Sequence, residues 1–440
     1  MIGIIKSGIW GRLSQPAAKT LGFATAIAAL FAVSSGLGRA QAAGTLDPTF
    51  GEGGTVTTIF NSGTTTPMGA VEQLNGDIVV LCEAGPSEFS LTQLALTRYT
   101  SAGVLDTTFG NKGTTLTAFS TFTFSPFAFA LEPNGEFLVA GLVVPTGGGS
   151  EFGLAQFTAS GELDTTFGTA GVAAAEVIKP SDSPSAMLLQ PNGQIVIAGF
   201  QTSDSKTSSV GGGTSIARFN SNGTLDTTFG TSGAALVSAR MLSPTAVALL
   251  SNGDYLIVGP GGSGSGIAEA EISSTGVSQS SITTATVTAT SPLQGLEQMP
   301  TAFESNGDFV VSNGHQTVHA VTTFPVVSLF SEAGVKDSAS AATDIAFGGE
   351  RKCFGQAIAV QSNGQVVVGG LILNATPIGG GLARLDTNGD LDTTFGSGGT
   401  VIFDNSVSAL LIEANGDIVA VEAPGSNGGD GIVLQRYLAN

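Results

Sequence analysis

An Asn-Gly pair recurs at near-regular spacing at Asn75-Gly76, Asn134-Gly135, Asn192-Gly193, Asn252-Gly253, Asn306-Gly307, Asn363-Gly364 and Asn415-Gly416, in steps of 59, 58, 60, 54, 57 and 52 residues. Asn and Gly both tolerate positive φ, which a two-residue hairpin turn demands at its two central positions. An alternating apolar segment such as Ala246-Val247-Ala248-Leu249 precedes each pair, and a β-branched run such as Ile195-Val196-Ile197-Ala198 follows it. The pairs therefore predict the turn between strands A and B of a repeated hairpin. A Gly- and Ser-rich loop comes next, then a third strand ending in a second Gly turn (Ala217-Arg218-Phe219-Asn220-Ser221-Asn222-Gly223). Leu225-Asp226-Thr227-Thr228-Phe229-Gly230 and a short fourth strand after Gly233 complete the unit. The Leu-Asp-x-Thr-Phe-Gly phrase begins at Leu46, Leu105, Leu163, Leu225 and Leu391. Val277-Ser278-Gln279 is an eroded copy, and Val335-Lys336-Asp337 regains Phe347-Gly348 after an insertion.

Four short strands make a sheet too small to bury both faces by itself, so seven such units must bury them against one another. The expected fold is all-β: a seven-bladed β-propeller of four-stranded blades. The termini predict how the ring closes. The chain ends at Arg436-Tyr437-Leu438-Ala439-Asn440, partway through the unit, and Gly44-Thr45-Leu46-Asp47 near the start supplies the continuation. Joined, they match Arg218 to Asp226 without a gap. The N-terminal segment should thus give the last blade its outer strand and remove an exposed edge.

The Asn-Gly hairpin, the Ala-x-Arg-(Tyr/Phe) strand and the Leu-Asp-x-Thr-Phe-Gly-x-x-Gly-(Thr/Ala)-Val segment resemble the delta-60 β-propeller repeat of exported bacterial proteins, with a general plan similar to NHL-type propellers. The resemblance covers about Thr45 to Asn440 and is weakest between Pro260 and Glu350. It implies a fold and a secreted or cell-surface setting, and it carries over no reaction and no site residues.

The first residues agree with export. Lys6, Arg12 and Lys19 precede an apolar run from Leu21 to Val33, and Ala40-Gln41-Ala42 offers a small-x-small cleavage site. Thirteen apolar residues fall short of the ~18 needed to span a bilayer, so residues 1–42 are expected to be a cleaved signal peptide and residues 43–440 the propeller. The predicted setting is secreted, periplasmic or cell-surface, with no membrane insertion after cleavage. Eleven basic residues would remain against 34 acids, a balance that repels nucleic acid and anionic membranes. A monomer is expected, with an unidentified protein or extracellular ligand as partner.

Several constellations invite a chemical reading. Asp47, Asp106, Asp226 and Asp392 sit across the second hairpin from Arg436, Arg98, Arg218 and Arg384, which predicts structural Arg-Asp pairs, the Asp also capping its turn through the amides two and three residues on. One repeat carries Glu271 and Gln279 in their place, and Asp164 and Asp337 face Gln156 and Leu329. At the end of strand A stand Gln73, Glu132, Gln190, Leu250, Glu304, Gln361 and Glu413. Beside the axis these polar residues could form a binding girdle in the channel; the alternative is solvated residues next to a turn. Asp386 to Asp392 resembles a calcium loop in its oxygen spacing, but Leu391 replaces the required Gly and Ser397 the required Glu. His315 and His319, four apart, would share one face of a strand, with no third ligand in view; otherwise they are exposed loop residues. Cys82 and Cys353 fall in the first and sixth units, too far apart for a disulfide, and are expected to be two unbridged buried thiols. No catalytic residue, metal or cofactor is indicated.

The two kinds of turn lie at one end of each blade. The other end carries loops of varied length at Pro145 to Ser150, Gln201 to Thr214, Gly259 to Gly266, Asn374 to Gly381 and Ala423 to Asp430. Variable loops on a rigid scaffold suit recognition, so this face is the expected contact surface, with simple solvent-facing spacers as the alternative. After cleavage only Tyr99, Tyr255 and Tyr437 and no Trp remain beside the Phe, which leaves few aromatic platforms for sugars. Two other functions stay open: a lyase or hydrolase with acids near the channel mouth, and a surface-layer component.

Overall fold

The computed structural model describes residues 4–5, 41–60, 64–85, 93–177, 182–201, 213–237, 243–261, 267–284, 300–304, 308–316, 323–331, 343–347, 353–373, 379–423 and 431–440. They form seven antiparallel sheets arranged as blades, six of four strands and one whose four strands are joined by a short fifth. The inner strands, in blade order, are Thr64–Glu72, Phe122–Leu131, Asp182–Leu189, Ala246–Leu249, Thr301–Phe303, Cys353–Val360 and Ser406–Ile412. Six blades run in sequence order from the inner to the outer strand.

The seventh blade takes its outer strand, Thr55–Ile59, from the start of the propeller, paired with Gly431–Tyr437 in the register Thr55 to Gln435 through Ile59 to Gly431. The turn between these strands is split between the two ends of the chain, yet its hydrogen bonds survive. Leu438 N–H donates to Thr45 O at 2.9 Å and Gly44 N–H to Leu438 O at 2.8 Å, matching Asn220 to Thr224 and Gly223 to Asn220 in the third blade. The ring therefore closes on the same bonds that make an unbroken blade. A two-residue strand, Ile4–Ile5, pairs with Phe129 and Ala128 on the inner edge of the second blade.

Radial stacking explains the sequence pattern. A middle strand is covered on both sides by neighbouring blades, so Val366–Ile372 is buried at every position, whereas the rim strand Thr114–Ala118 keeps two exposed side chains. Seven apolar clusters fill the seams between adjacent blades. The repeated Phe of the Leu-Asp phrase anchors them, with Phe50, Phe229 and Phe395 fully buried.

Prolines that the repeat grammar left unassigned mark a bulge near the axis. The ladder slips between Pro67 and Gly69, Pro126 and Ala128, and Pro184 and Ala186. At these three prolines the axial side of the inner strand has no paired strand among the described residues, so a residue without N–H costs nothing there. The bulged residue can then reach the next blade, as Ser185 Oγ does to Pro244 O at 2.6 Å.

Candidate functional site

The turn end of the molecule carries its densest polar chemistry, built from the repeated Leu-Asp-x-Thr-Phe-Gly phrase. In the third blade, Asp226 Oδ1 accepts both the amide (3.0 Å) and the hydroxyl (2.6 Å) of Thr228. The amide three residues on takes a different partner from the one expected: Phe229 N–H donates to the Asp226 backbone carbonyl. Oδ2 remains for arginine. The four pairs stand at 2.7 Å (Arg98–Asp106), 2.8 Å (Arg218–Asp226), 2.8 Å (Arg384–Asp392) and 2.7 Å (Arg436–Asp47). Each guanidinium also lies over the Phe of its own phrase, between 4.5 and 4.8 Å from the ring centre. Burial opposes ionisation of Asp47, Asp226 and Asp392, but the threonine bonds and the arginine outweigh it and hold each carboxyl below its ordinary range. For Asp106 the Thr108 hydroxyl is the largest influence and acts in the same direction.

The same arginines reach across the seams, which strand-pairing logic could not show. Nη1 of Arg98, Arg218, Arg384 and Arg436 donates to the carbonyls of Ala159, Ser274, Ala439 and Ser101, each in the second turn of the following blade. In three of these seams the Gly of the phrase adds a backbone bond to that turn (Gly51 to Ala102, Gly230 to Thr275 and Gly396 to Ala43), and Gly168 makes the same bond to Asn222 in a seam without arginine. Each pair is thus a clamp between blades as well as a cap within one. The turn must come close for this to work. At Gly103 (φ +76°) an added Cβ would sit 2.8 Å from the Gly51 nitrogen and 2.9 Å from the Phe50 ring. Gly103→Ala should therefore lower stability by about 1–3 kcal/mol, read as a shift in denaturant midpoint at unchanged slope.

Where arginine is missing, other groups fill the place. Gln156 donates to the buried Glu132, while Asp164 keeps only its Thr166 cap. In the fourth blade Asp254 takes the Ser274 amide and the Gln279 side chain, and Asn252 approaches Glu271. Leu329 is buried in its seam, and Asp337 lies outside the described residues.

The residues at the end of strand A are neither a channel girdle nor solvated turn neighbours. Glu132, Gln190, Gln361 and Glu413 are buried, and Gln73 and Glu304 half-buried. The blades are radial, so an inner strand shows its backbone edge to the axis and turns its side chains into the seams on either side. Gln190 donates to Tyr255 Oη of the next blade at 3.1 Å, and Gln361 to the Gly416 carbonyl at 2.7 Å. Glu413 meets Arg436 at 3.4 Å. Burial raises the pKa of Glu132 and Glu304 and pushes Glu413 up to about 7, where Arg436 pulls down and Glu72 adds to the rise.

A second pattern escaped the sequence reading although it is visible there. The residue after the Asn-Gly of each first hairpin is Asp, Glu or Gln. In the six described first hairpins the Asn Oδ1 accepts that residue's amide at 2.8–3.2 Å, and its Nδ2 donates to that residue's side chain. Gln194 and Gln365 pass the connection on to Asp226 and Asp392. The seventh pair, Asn306-Gly307, lies outside the described residues.

Cys82 and Cys353 are buried thiols in different seams, beside the first and sixth blades respectively. The backbone of His315 belongs to strand Phe309–Gln316, opposite Phe324, and so is not part of a loop; His319 lies outside the described residues. In the calcium-like segment Asp386 Oδ1 is engaged by the amides of Asn388 and Asp390, which makes it a turn cap. Among the described residues no three His, Cys, Asp or Glu side chains are grouped to hold a metal. Of the variable loops, residues 145–150 are described, and the centres of the others, 202–212, 262–266, 374–378 and 424–430, lie outside.

Three segments, residues 132–167, 190–229 and 361–395, match the family model described as a domain of unknown function (DUF5122) beta-propeller. No curated protein matches the chain. Similar solved structures include a catalytically inactive virginiamycin B lyase from Staphylococcus aureus with quinupristin (TM-score 0.44, 11% identity, 87% of this chain and 99% of that one). Others are a protein of unknown function from Dyadobacter fermentans (0.45, 11%, 88% and 100%) and Sqt1 from Chaetomium thermophilum (0.43, 11%, 88% and 100%). At these scores none of them bears on what the chain does. The three matched segments each contain a strand-A end and an Asn-Gly turn and end on the Phe of the Leu-Asp phrase, so these repeats of the chain are similar to those of the DUF5122 β-propellers.

Proposed function

We propose that this is an exported binding scaffold, which engages a protein or another extracellular ligand through the loops between strands B and C and between successive blades. The observation that carries this reading is how the turn end is used. At the turn end, side chains and backbone are consumed by the clamps and caps just described, with Arg436 alone meeting Asp47, Glu413 and Ser101. That end is built to hold blades together, which leaves the opposite end, where the loops vary in length and composition, for recognition. The leader-like first residues support a setting outside the cytoplasm.

The test uses isolated cell envelopes of the producing bacterium as the probe. Mature protein should co-sediment with them. A variant whose loops 201–214 and 259–266 are replaced by two-residue Asn-Gly turns should stay in solution with its melting temperature unchanged. Equal sedimentation of the two proteins would refute the reading.

A further inference from the structure

The geometry points to Asn388 as a site of spontaneous covalent modification, the first among the described Asn-Gly turns to convert its asparagine to aspartate or isoaspartate. Eight Asn-Gly turns have described side chains: the six first hairpins, together with Asn222-Gly223 and Asn388-Gly389 in second turns. All eight share the dangerous dipeptide, because glycine offers its backbone nitrogen no steric protection. In the reaction the Gly389 nitrogen loses its proton and bonds to Cγ of Asn388, and the Nδ2 group leaves as ammonia. Water then opens the resulting succinimide at either carbonyl. No oxidant or other co-reactant is needed.

What differs among the eight is whether the side chain can turn toward that nitrogen. In the six first hairpins it is held at both ends, as in Asn415, whose Oδ1 accepts the Asp417 amide and whose Nδ2 donates to the Asp417 carboxylate, each at 2.8 Å. Asn222 is held through Oδ1 by the amide (3.0 Å) and hydroxyl (2.7 Å) of Thr224. At Asn388 both holds are gone. Asp386 takes the Asp390 amide for itself at 3.0 Å, and the Asp390 carboxylate, unlike the Thr224 hydroxyl, has no hydrogen to donate. The Asn388 side chain is exposed and makes no hydrogen bond within the described protein. The Gly389 N–H donates to the Asp386 carbonyl at 3.0 Å, as the glycine of each counterpart does to its own turn, so that cost is shared; but the Asn388 side chain can turn toward the nitrogen without giving up a side-chain bond, whereas its seven counterparts must first give up one or two.

The experiment is peptide mapping by mass spectrometry of the intact purified protein during incubation in warm, mildly alkaline buffer. Conversion at position 388 should run about tenfold ahead of conversion at the other seven positions, the ratio expected for hydrogen bonds of ordinary net strength. Conversion of any of the seven at an equal or greater rate would overturn the inference. Asp390→Thr rebuilds the arrangement around Asn222 in an exposed turn and should slow position 388 to the rate of Asn222. An unchanged rate in that variant, with its melting temperature intact, would overturn it equally.

Discussion

Arg436→Ala should cost about 3–5 kcal/mol of stability, the range for removing one partner of a buried ion pair. It should be the most damaging of the four arginine deletions. Arg436 pairs with Asp47 through two nitrogens at 2.9 and 2.7 Å, donates to the Ser101 carbonyl at 2.7 Å, meets Glu413 at 3.4 Å and covers the Phe50 ring. Its loss would strand two carboxyl groups in one seam. Arg98 offers the contrast: its pair with Asp106 is more exposed (18% and 15%, against 10% for each partner at Arg436), and its carbonyl bond is 3.4 Å long. Arg98→Ala should therefore lose clearly less. The position of Arg436 adds a second signature. Asp47 belongs to the segment that leads into strand Thr55–Ile59, so weakening the pair should release that strand first. Hydrogen exchange in the variant should rise at Thr55–Ile59 before it rises in the first six blades. Equal losses for the two variants, or exchange spread evenly around the ring, would contradict the view that closure is the weak joint.

The readable and unreadable parts of this molecule divide along one physical line. Seven copies of a unit act as an internal alignment, so whatever recurs within a unit could be read: the Asn-Gly turns, the Arg-Asp partners across the second hairpin, and the phase of the split unit. Arg436 was matched to Asp47 in this way although 389 residues separate them. Contacts between units leave no such trace. The carbonyls of Ser101, Ala159, Ser274 and Ala439 that accept from arginine are backbone groups with no residue preference, so the clamps were invisible. Gln190 and Gln361 were misplaced for the same reason. Their periodicity shows that they end an inner strand, but the direction of their side chains depends on the sheets being radial, which is a property of the ring. Pro67, Pro126 and Pro184 could have been found: together with Pro244 they stand at the same offset before four Asn-Gly turns, which signals an unpaired strand edge.

The second large effect is a dependence on pH that runs opposite to ordinary acid denaturation, and it centres on Glu422. This carboxyl is fully buried in the second strand of the closing blade, opposite Val407. The equivalent positions, opposite the residue before the bulge, hold Cys82, Gly141, Gly199 and Gly370 in four other blades. The seam toward the sixth blade thus receives a large polar side chain where the ring elsewhere uses a small one. Asn405 donates to Oε2 at 3.0 Å, and Oε1 has no partner. Burial is the main cause of a pKa pushed up to about 8; the Asn405 bond acts against it, and the charge of Asp404 adds to it. Tyr437 responds in kind, its own pKa raised by burial and then by Glu422. The folded protein therefore holds a proton that the unfolded chain, with an ordinary value of 4.5, releases. Stability from this group is complete below about 4.5 and falls as pH rises toward 8, by up to a tenfold change in the folding constant per pH unit. Glu413 acts in the same direction but releases its proton about one pH unit sooner, so Glu422 is the larger contributor between 7 and 8. Glu422→Gln keeps the shape and the acceptor for Asn405 but has no proton to lose. The variant should resemble the wild type near pH 4.5, exceed it in urea midpoint near pH 8, and show no slope between 7 and 8 beyond that of the remaining groups. Parallel pH profiles for the two proteins would mean that Glu422 is ionised in its seam, with a neighbour that supports the charge.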